Sequence, residues 1–473
     1  RALNIEAQVG LIQMINLSHC SGKSYYVIGL GKTGKSVLQS LSAAGAIVSL
    51  WDDDMDILNS VGGSNYSIID PQSVNIPEFD SIILSPGINE NMEPYSDLIE
   101  CARKNDVPII CDVQLFMDEL DSRNLSNKVI MITGTNGKST TTMLLCHLLE
   151  SLGYDVQTGG NLGNKCVLEF DFHQNNRIFL IEMSSFQIAL CPNIKPHIGI
   201  LLNITPDHID RHKSFENYKN IKFNMFGKQD INDFSIVENN TFQNFSSSAN
   251  NLRGKIILFA HSISKPNDIL EVIDKSRSES STKYELNEGI VLNSKTNLAN
   301  LAACVACMQI MGHSWNEYSQ ALNTFQGLEH RVELVTRLNK VSYINDSKAT
   351  NAAASKGALQ SFTNIFWILG GIEKYGGLSD ITENLVNVKK AYLIGTAAES
   401  FSEILSNVNI SNEVCGTLRK AIINSTKDAL TLSEEATILF SPACSSYDQF
   451  SNFAERGNKF KEIVGEIKET HAN

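Results

Sequence analysis

An apolar run, a glycine-rich loop and a helix-forming stretch follow one another twice in this chain. That succession constrains the fold more than any other feature. The first copy is SYYVIGLGKTGKSVLQSLSAAG, residues 24–45, and the second is KVIMITGTNGKSTTTMLLCHLLESLGY, residues 128–154. A strand feeding a helix through a tight loop is half of a βαβ unit. Further strand-like runs alternate with helical ones, as in RIFLIEMSS, HIGILLNITPDHID, VSYINDSKATN, NIFWILGG, KAYLIG and TILFSPACSS. An α/β fold on mostly parallel sheets is therefore expected. In the second copy Leu144, Leu145, Leu148, Leu149 and Leu152 keep an apolar stripe at helical spacing.

The chain has 473 residues, and at roughly 150 residues per domain that predicts about three domains. The polar segment DSRNLSNK, 121–128, reads as a linker, and a third block opens near FQGLEHR. The expected boundaries are 1–121, 122–325 and 326–473. The polar tracts 239–251 and 274–283 read as surface loops. No solenoid-length repeat is present.

Charge and cysteine usage exclude several classes. A formal net charge of −13 argues against a nucleic-acid surface, which needs clustered Lys and Arg. The 10 cysteines show no repeating spacing and read as reduced thiols of a cytoplasmic protein. Cys304 and Cys307 lie in an alanine-rich apolar helix, without the second pair or histidine that a zinc tetrahedron requires. No run reaches the ~18 apolar residues of a membrane span. VGLIQMI is too short for a signal peptide's apolar core, and the opening Arg1 leaves room for preceding residues.

Residues 29–36 satisfy both the dinucleotide pattern G-x-G-x-x-G and the P-loop pattern G-x-x-x-x-G-K-[ST]. The second loop fails the strict P-loop pattern, since Ile132 occupies the first glycine position. It still has the physical parts. Gly134 and Gly137 let backbone N–H groups curl around phosphate. Lys138 can reach β/γ oxygens, and Ser139 opens a helix whose N-terminus favours anions. Ligands of open α/β sheets bind at the carboxyl ends of strands. Those ends supply Glu182, Asp207 and His208 in the second block, hard donors suited to Mg²⁺ beside phosphates. In the first block they supply Asp52, Asp53 and Asp54, which would repel a triphosphate, although one Asp can bond a ribose hydroxyl. The second loop is thus the stronger ATP candidate.

GTNGKST, EMSSFQ, NITPDHIDRH, His330-Arg331, DSKATN and SPACSSYDQFSNFAERG together resemble the Mur ligases, most of all their D-glutamate-adding branch. The motifs run from Gly29 to Gly457, nearly the whole chain. The resemblance implies three domains: an N-terminal Rossmann-like UDP-binding domain, a central P-loop-type ATPase domain and a C-terminal Rossmann-like amino-acid domain. It implies ATP-driven ligation of D-glutamate to UDP-N-acetylmuramoyl-L-alanine through an acyl phosphate, in cytoplasmic peptidoglycan synthesis, by a monomer.

Residue by residue, the resemblance gives ATP to Gly134, Thr135, Asn136, Gly137, Lys138, Ser139 and Thr140, with Asn297 and Asn300 at the adenine. Arg331 is then a phosphate clamp and Asp346 a ribose partner. Two Mg²⁺ fall to Ser139, Glu182, His208 and Lys222, the last carbamylated by CO₂ in a Tyr-x-x-x-Lys context. The UDP substrate falls to Gly31, Lys32, Thr33, Asp52, Ser85, Gly87 and Asn161, and D-glutamate to Lys348, Thr350, Ser446 and Phe453. Two departures stand out: WDDDMD lacks the arginine some relatives place near the uridine phosphates, and Ile372 replaces an acid beside the unassigned Lys374.

Three other readings compete. Another amide ligase of the superfamily, such as a folylpolyglutamate synthase or a different Mur enzyme, conflicts with the N-terminal block or with DSKATN. An NAD(P)-dependent dehydrogenase using Gly29, Gly31, Gly34 and Asp52 leaves GTNGKST and DSKATN without a role. A non-catalytic nucleotide-binding regulator gives no reason to keep the catalytic residue types.

Overall fold

The computed structural model describes residues 14–61, 66–163, 165–172, 176–249, 252–262, 268–276, 280–286, 296–325, 327–373 and 377–472. Lys374 lies outside them. Three sheets carry the fold, and the chain forms two compact units. One comprises Arg1–Phe259, Val272–Thr282 and Ala306–His313; the other comprises Ala260–Glu271, Lys283–Val305 and Ser314–Asn473.

The first sheet contains β1 (Ser24–Ile28), β2 (Ile47–Trp51), β3 (Ser67–Ile68), β4 (Ser81–Leu84) and β5 (Ile109–Ile110), in the order β3-β2-β1-β4-β5. All its pairings are parallel. Strand order reverses at β1, so the loop after it opens at the switch point, where α/β sheets bind ligands.

The second sheet contains β6 (Lys128–Thr133), β7 (Val156–Gly160), β8 (Ile178–Glu182), β9 (Ile198–Leu201), β10 (Phe234–Glu238), β11 (Lys255–Ser262), β12 (Asp268–Asp274) and β13 (Ser280–Leu286). Its order is β13-β12-β11-β10-β9-β6-β8-β7, and the strands from β11 to β7 pair in parallel. β6 is buried from Val129 to Thr133. A strand covered on both faces reads as an unbroken apolar run, hence VIMIT. Leu144, Leu145, Leu148 and Leu149 are buried on the Lys138–Ser151 helix that follows.

The third sheet contains β14 (Glu333–Leu338), β15 (Val341–Asn345), β16 (Ile365–Gly370), β17 (Val388–Ile394), β18 (Asn412–Gly416) and β19 (Ala436–Phe440), in the order β14-β15-β19-β16-β17-β18. In this sheet β14 runs antiparallel to β15, while β15, β19, β16, β17 and β18 pair in parallel. Among the described residues no helix is long and apolar enough to cross a membrane, and all ten cysteines are free thiols. Cys304 and Cys307 are buried on the Thr296–Ile310 helix.

Several local expectations need correction. The tract 239–251 is not a plain loop: helices run Asn239–Asn244 and Ser246–Ala249. Glu238 caps the first by accepting from the N–H groups of Asn240 and Thr241, and Phe242 and Phe245 pack on the core. A cap and two aromatics at helical spacing outweigh the polar composition. The tract 274–283 is partly strand, because β12 ends at Asp274 and β13 begins at Ser280. The predicted linker 121–128 is shorter, since the Asp112–Ser122 helix and β6 take its ends. HIGILLNITPDHID is strand only over Ile198–Leu201.

Candidate active site at two glycine loops

The loop after β6 has the form of a phosphate cradle. Gly134 has φ +156° and Gly137 φ +88°, the latter left-handed at the start of the Lys138–Ser151 helix. At Gly134 a Cβ would press within 3.0 Å of the Leu202 side chain. Asn203, two residues past the end of β9, braces the loop from both sides. Its Oδ1 accepts from Asn136 N–H at 2.9 Å and its Nδ2 donates to Asn136 O at 3.0 Å. Thr135 Oγ1 lies 3.0 Å from the Tyr218 hydroxyl and donates to Thr205 O. Lys138 Nζ donates to the carbonyls of Gly134 and Thr135, both at 2.9 Å. Ser139 and Thr140 are buried in the first turn.

Two further groups converge on this loop. Glu182 ends β8 and is buried. Its Oε1 accepts from Asn161 Nδ2 at 2.8 Å, and its Oε2 has no hydrogen-bond partner in the protein. Lys222, on the Phe215–Asn224 helix, is 1% exposed. Its Nζ donates to Gly134 O at 2.9 Å and stands 4.8 Å from the Tyr218 ring centre. Burial pushes this amine well below the usual lysine range. The charge of Lys138 acts in the same direction, against Asp207 and Glu182. The site thus holds a carboxylate oxygen without a partner and an amine driven toward its neutral form.

His208 has φ +53° and opens the one-turn helix Ile209–His212. Its Nε2 is 3.6 Å from Asp207 Oδ2. The donor set fits an oxygen-seeking divalent cation, because an orphaned buried carboxylate oxygen is costly unless a cation meets it. Among the described residues no three His, Cys, Asp or Glu side chains form a metal cluster.

The first glycine loop differs in build. Gly29 has φ +87°, and a Cβ on Gly34 would lie 1.9 Å from Gly29 O. Ser85 Oγ donates to that same carbonyl at 2.7 Å. Asp52 is occupied by the backbone: Oδ2 accepts from Leu30 N–H and Oδ1 from Asp54 N–H. It shapes the loop. Gly31 and Gly87 have open space where a Cβ would stand. Lys32 Nζ donates to Gly163 O at 2.8 Å, and Thr33 follows in the first turn of the Lys32–Ala43 helix.

In the other unit, Asp346 is buried after β15. It accepts from Ser441 Oγ at 2.7 Å and from Val332 N–H at 3.2 Å. Burial raises its carboxyl to about 7, against the hydrogen bonds and the charges of Arg331 and Arg456. Lys348 Nζ sits 5.0 Å from the Phe453 ring centre. Thr350 is half-buried just before the Asn351-capped Ala352–Ser361 helix, and Ser446 is buried in the tail loop. Asn300 Nδ2 donates to Asn297 Oδ1 at 3.3 Å, one helical turn away.

The structure therefore joins Lys138, Glu182, Asn161 and Lys222 around one loop, and brings Lys348 to Phe453 beside the buried Asp346, with Ser446 buried in the tail loop. Sequence reasoning missed the braces. Nothing in the sequence sets Asn203 apart from the rest of NITPDHIDRH. Arg456, 1% exposed, donates to Ser347 Oγ and O and to Cys444 O, tying DSKATN to the tail. Gly457 admits His330, whose Nδ1 a Cβ would meet at 2.2 Å. A charged residue flanked by glycine in AERG was the available signal.

The Mur ligase middle domain matches residues 132–308. The chain is 36% identical to UDP-N-acetylmuramoylalanine–D-glutamate ligase of Bartonella henselae, over 97% of this chain and 100% of that one. It is 35% identical to the ligase of the same name from Caulobacter vibrioides, over 95% and 97%. Among solved structures, MurF of Thermotoga maritima in complex with ADP is similar in fold, with TM-score 0.58 and 15% identity over 97% and 98% of the two chains. MurC of the same organism gives 0.55 and 17% over 94% and 100%.

Proposed function

The chain belongs to the Mur ligase family, and from that premise we propose that it ligates D-glutamate to UDP-N-acetylmuramoyl-L-alanine at the expense of ATP. The observation that carries the reading is the convergence of Lys138, the orphaned Glu182 Oε2 and the neutral-leaning Lys222 on one phosphate-shaped loop.

A carboxylate is a poor electrophile. Transfer of the γ-phosphoryl group to one of its oxygens creates an acyl phosphate, whose phosphate can leave. The amine of D-glutamate attacks the carbonyl carbon, and the tetrahedral intermediate collapses to amide and phosphate. Lys138 and the N–H groups of residues 134–140 hold the β/γ-phosphates. Asn297 and Asn300 take the adenine, Asp346 the ribose and Arg331 the phosphates. Ser139, Glu182 and His208 would hold Mg²⁺, which lets two anions approach each other. Lys222 fits the same role after CO₂ uptake, since only a neutral amine attacks CO₂ and the product is a carboxylate-like donor.

Residues 1–121 would receive the UDP end through Gly31, Lys32, Thr33, Ser85 and Gly87, with Asp52 shaping the loop and Asn161 reaching the substrate. The segment 122–325 would carry ATP. Residues 326–473 would take D-glutamate, its carboxylates meeting Lys348, Thr350 and Ser446 beside the Phe453 ring. ATP and a UDP-sugar place the reaction in the cytoplasm, and a monomer holds every residue named.

Incubation with ATP, Mg²⁺, UDP-N-acetylmuramoyl-L-alanine and a panel of amino acids tests this directly. Phosphate release is expected with D-glutamate alone. No release with it, or equal release with L-glutamate, refutes the assignment.

A further inference from the structure

One residue of the DHIDRH segment has no part in the mechanism so far. Arg211 lies in the single helical turn Ile209–His212, three residues after His208. Its guanidinium reaches the loop after β4. Nη1 donates to Pro86 O at 2.8 Å, Nη2 to Ile88 O, and Nε and Nη2 to Glu90 Oε2 at 2.9 and 2.7 Å. Asn91 Nδ2 returns a bond to Arg211 O at 2.8 Å. The other face of the guanidinium lies 3.8 Å from the centre of the Phe186 ring. That ring meets the His208 imidazole at 5.1 Å and 63°, and stacks on His212 at 5.0 Å and 15°. His212 is anchored by Ser185 Oγ at 2.9 Å.

The turn itself is poised. His208 and Lys213, at its two ends, both have left-handed backbones, with φ +53° and +67°. Neither is glycine, so the conformation is unfavourable alone and persists because side chains hold it. Arg211 is the side chain that holds it against the 86–90 loop.

We propose that Arg211 is a positioning residue that couples the UDP end of the substrate to the metal end. It grips the carbonyls of the loop beginning Ser85–Gly87 and, through Phe186 and the strained turn, sets the direction of His208. An occupied loop fixes Arg211, and a fixed Arg211 presents the imidazole. Coupling of this kind is reciprocal, so the metal favours the UDP substrate by the same factor. The inference rests on the ligase reading for the identities of the two ligands.

Mn²⁺ serves as the probe. Its affinity for the full-length chain with ADP is measured by electron paramagnetic resonance, with and without UDP-N-acetylmuramoyl-L-alanine. In the wild type the substrate is expected to tighten Mn²⁺ by roughly 5- to 150-fold, the usual range of coupling between sites. Arg211→Met removes the grip, and Arg211→Lys keeps the charge without the fork. Both should bring the ratio near one, and Phe186→Leu, approached from the other side, should lower it. A merely structural role would weaken each ligand alone and leave the ratio unchanged. A wild-type ratio of one, or variants that keep the full ratio, overturns the proposal. Failure of the wild type to bind the UDP substrate at all would overturn the ligase reading as well, which separates the two failures.

Discussion

A lysine amine with almost no access to water has a choice that solvated lysines lack: lose its proton or be paired. Lys222 has a loop carbonyl and an aromatic face, and burial, with the positive Lys138 nearby, pushes its amine well below the usual lysine range against the pull of Asp207 and Glu182. On the proposed reading, such an amine would attack CO₂, and the resulting carbamate would replace a cation with an anionic ligand beside Glu182. Lys222→Ala should lower turnover roughly 10²–10³-fold, the scale of one electrostatic contact removed from a transition state. Added short-chain carboxylic acids should restore part of it by filling the place of the carbamate. Wild-type turnover in the variant would exclude the assignment.

At the scale of elements, the two strand–loop–helix openings do different work with the same parts. The first loop is closed by a glycine that cannot be replaced: a Cβ on Gly34 meets Gly29 O at 1.9 Å, whereas one on Gly31 meets nothing within 4 Å. Gly31→Ala should therefore leave the thermal midpoint nearly unchanged. Gly34→Ala should lower it by several degrees and weaken binding of the UDP substrate, read by calorimetry, with the ADP affinity of the second loop preserved. Equal tolerance at both positions would contradict the packing. Sequence patterns ranked these loops poorly. Gly29 to Ser36 matched two expressions, yet the loop at Gly134, which matched neither fully, gathers the reactive groups. Patterns register glycine spacing. They do not register Asn203, which arrives from just past a neighbouring strand, some 67 positions away.

For the molecule as a whole, what was legible followed from periodicity and from local chemistry. The parallel strands read as apolar runs because both faces are covered, and Glu182 read as a strand-end carboxylate, whereas His208 lies beyond the end of β9, at the start of the Ile209–His212 turn. The braces were silent because Arg211, Arg456 and Asn203 act on backbone carbonyls and amides far away in sequence. The helices at 239–249 were silent because their aromatics sit among polar residues. Stability inherits such buried polar groups. Asp346 has its folded carboxyl raised from 3.8 to about 7, so the folded state keeps a proton that the unfolded chain releases. Stability should then fall as pH rises from about 4 to 7, by at most roughly 4 kcal/mol. Trp367 reports on this unit, since its Nε1 donates to Ser441 O while Ser441 Oγ donates to Asp346. Urea midpoints from its fluorescence should decline over that window in the wild type and flatten in Asp346→Asn.

The order of strands in the third sheet has a consequence in time. β19, Ala436–Phe440, lies between β15 and β16, which precede it in the chain. At about 5–20 residues per second of synthesis, β15 waits roughly 5–19 s and β16 roughly 4–14 s for the strand that joins them. During that interval β15 has only β14 to pair with and β16 only its β17 side, so each keeps one open edge. Any strand-like segment of a neighbouring nascent chain competes for those open edges.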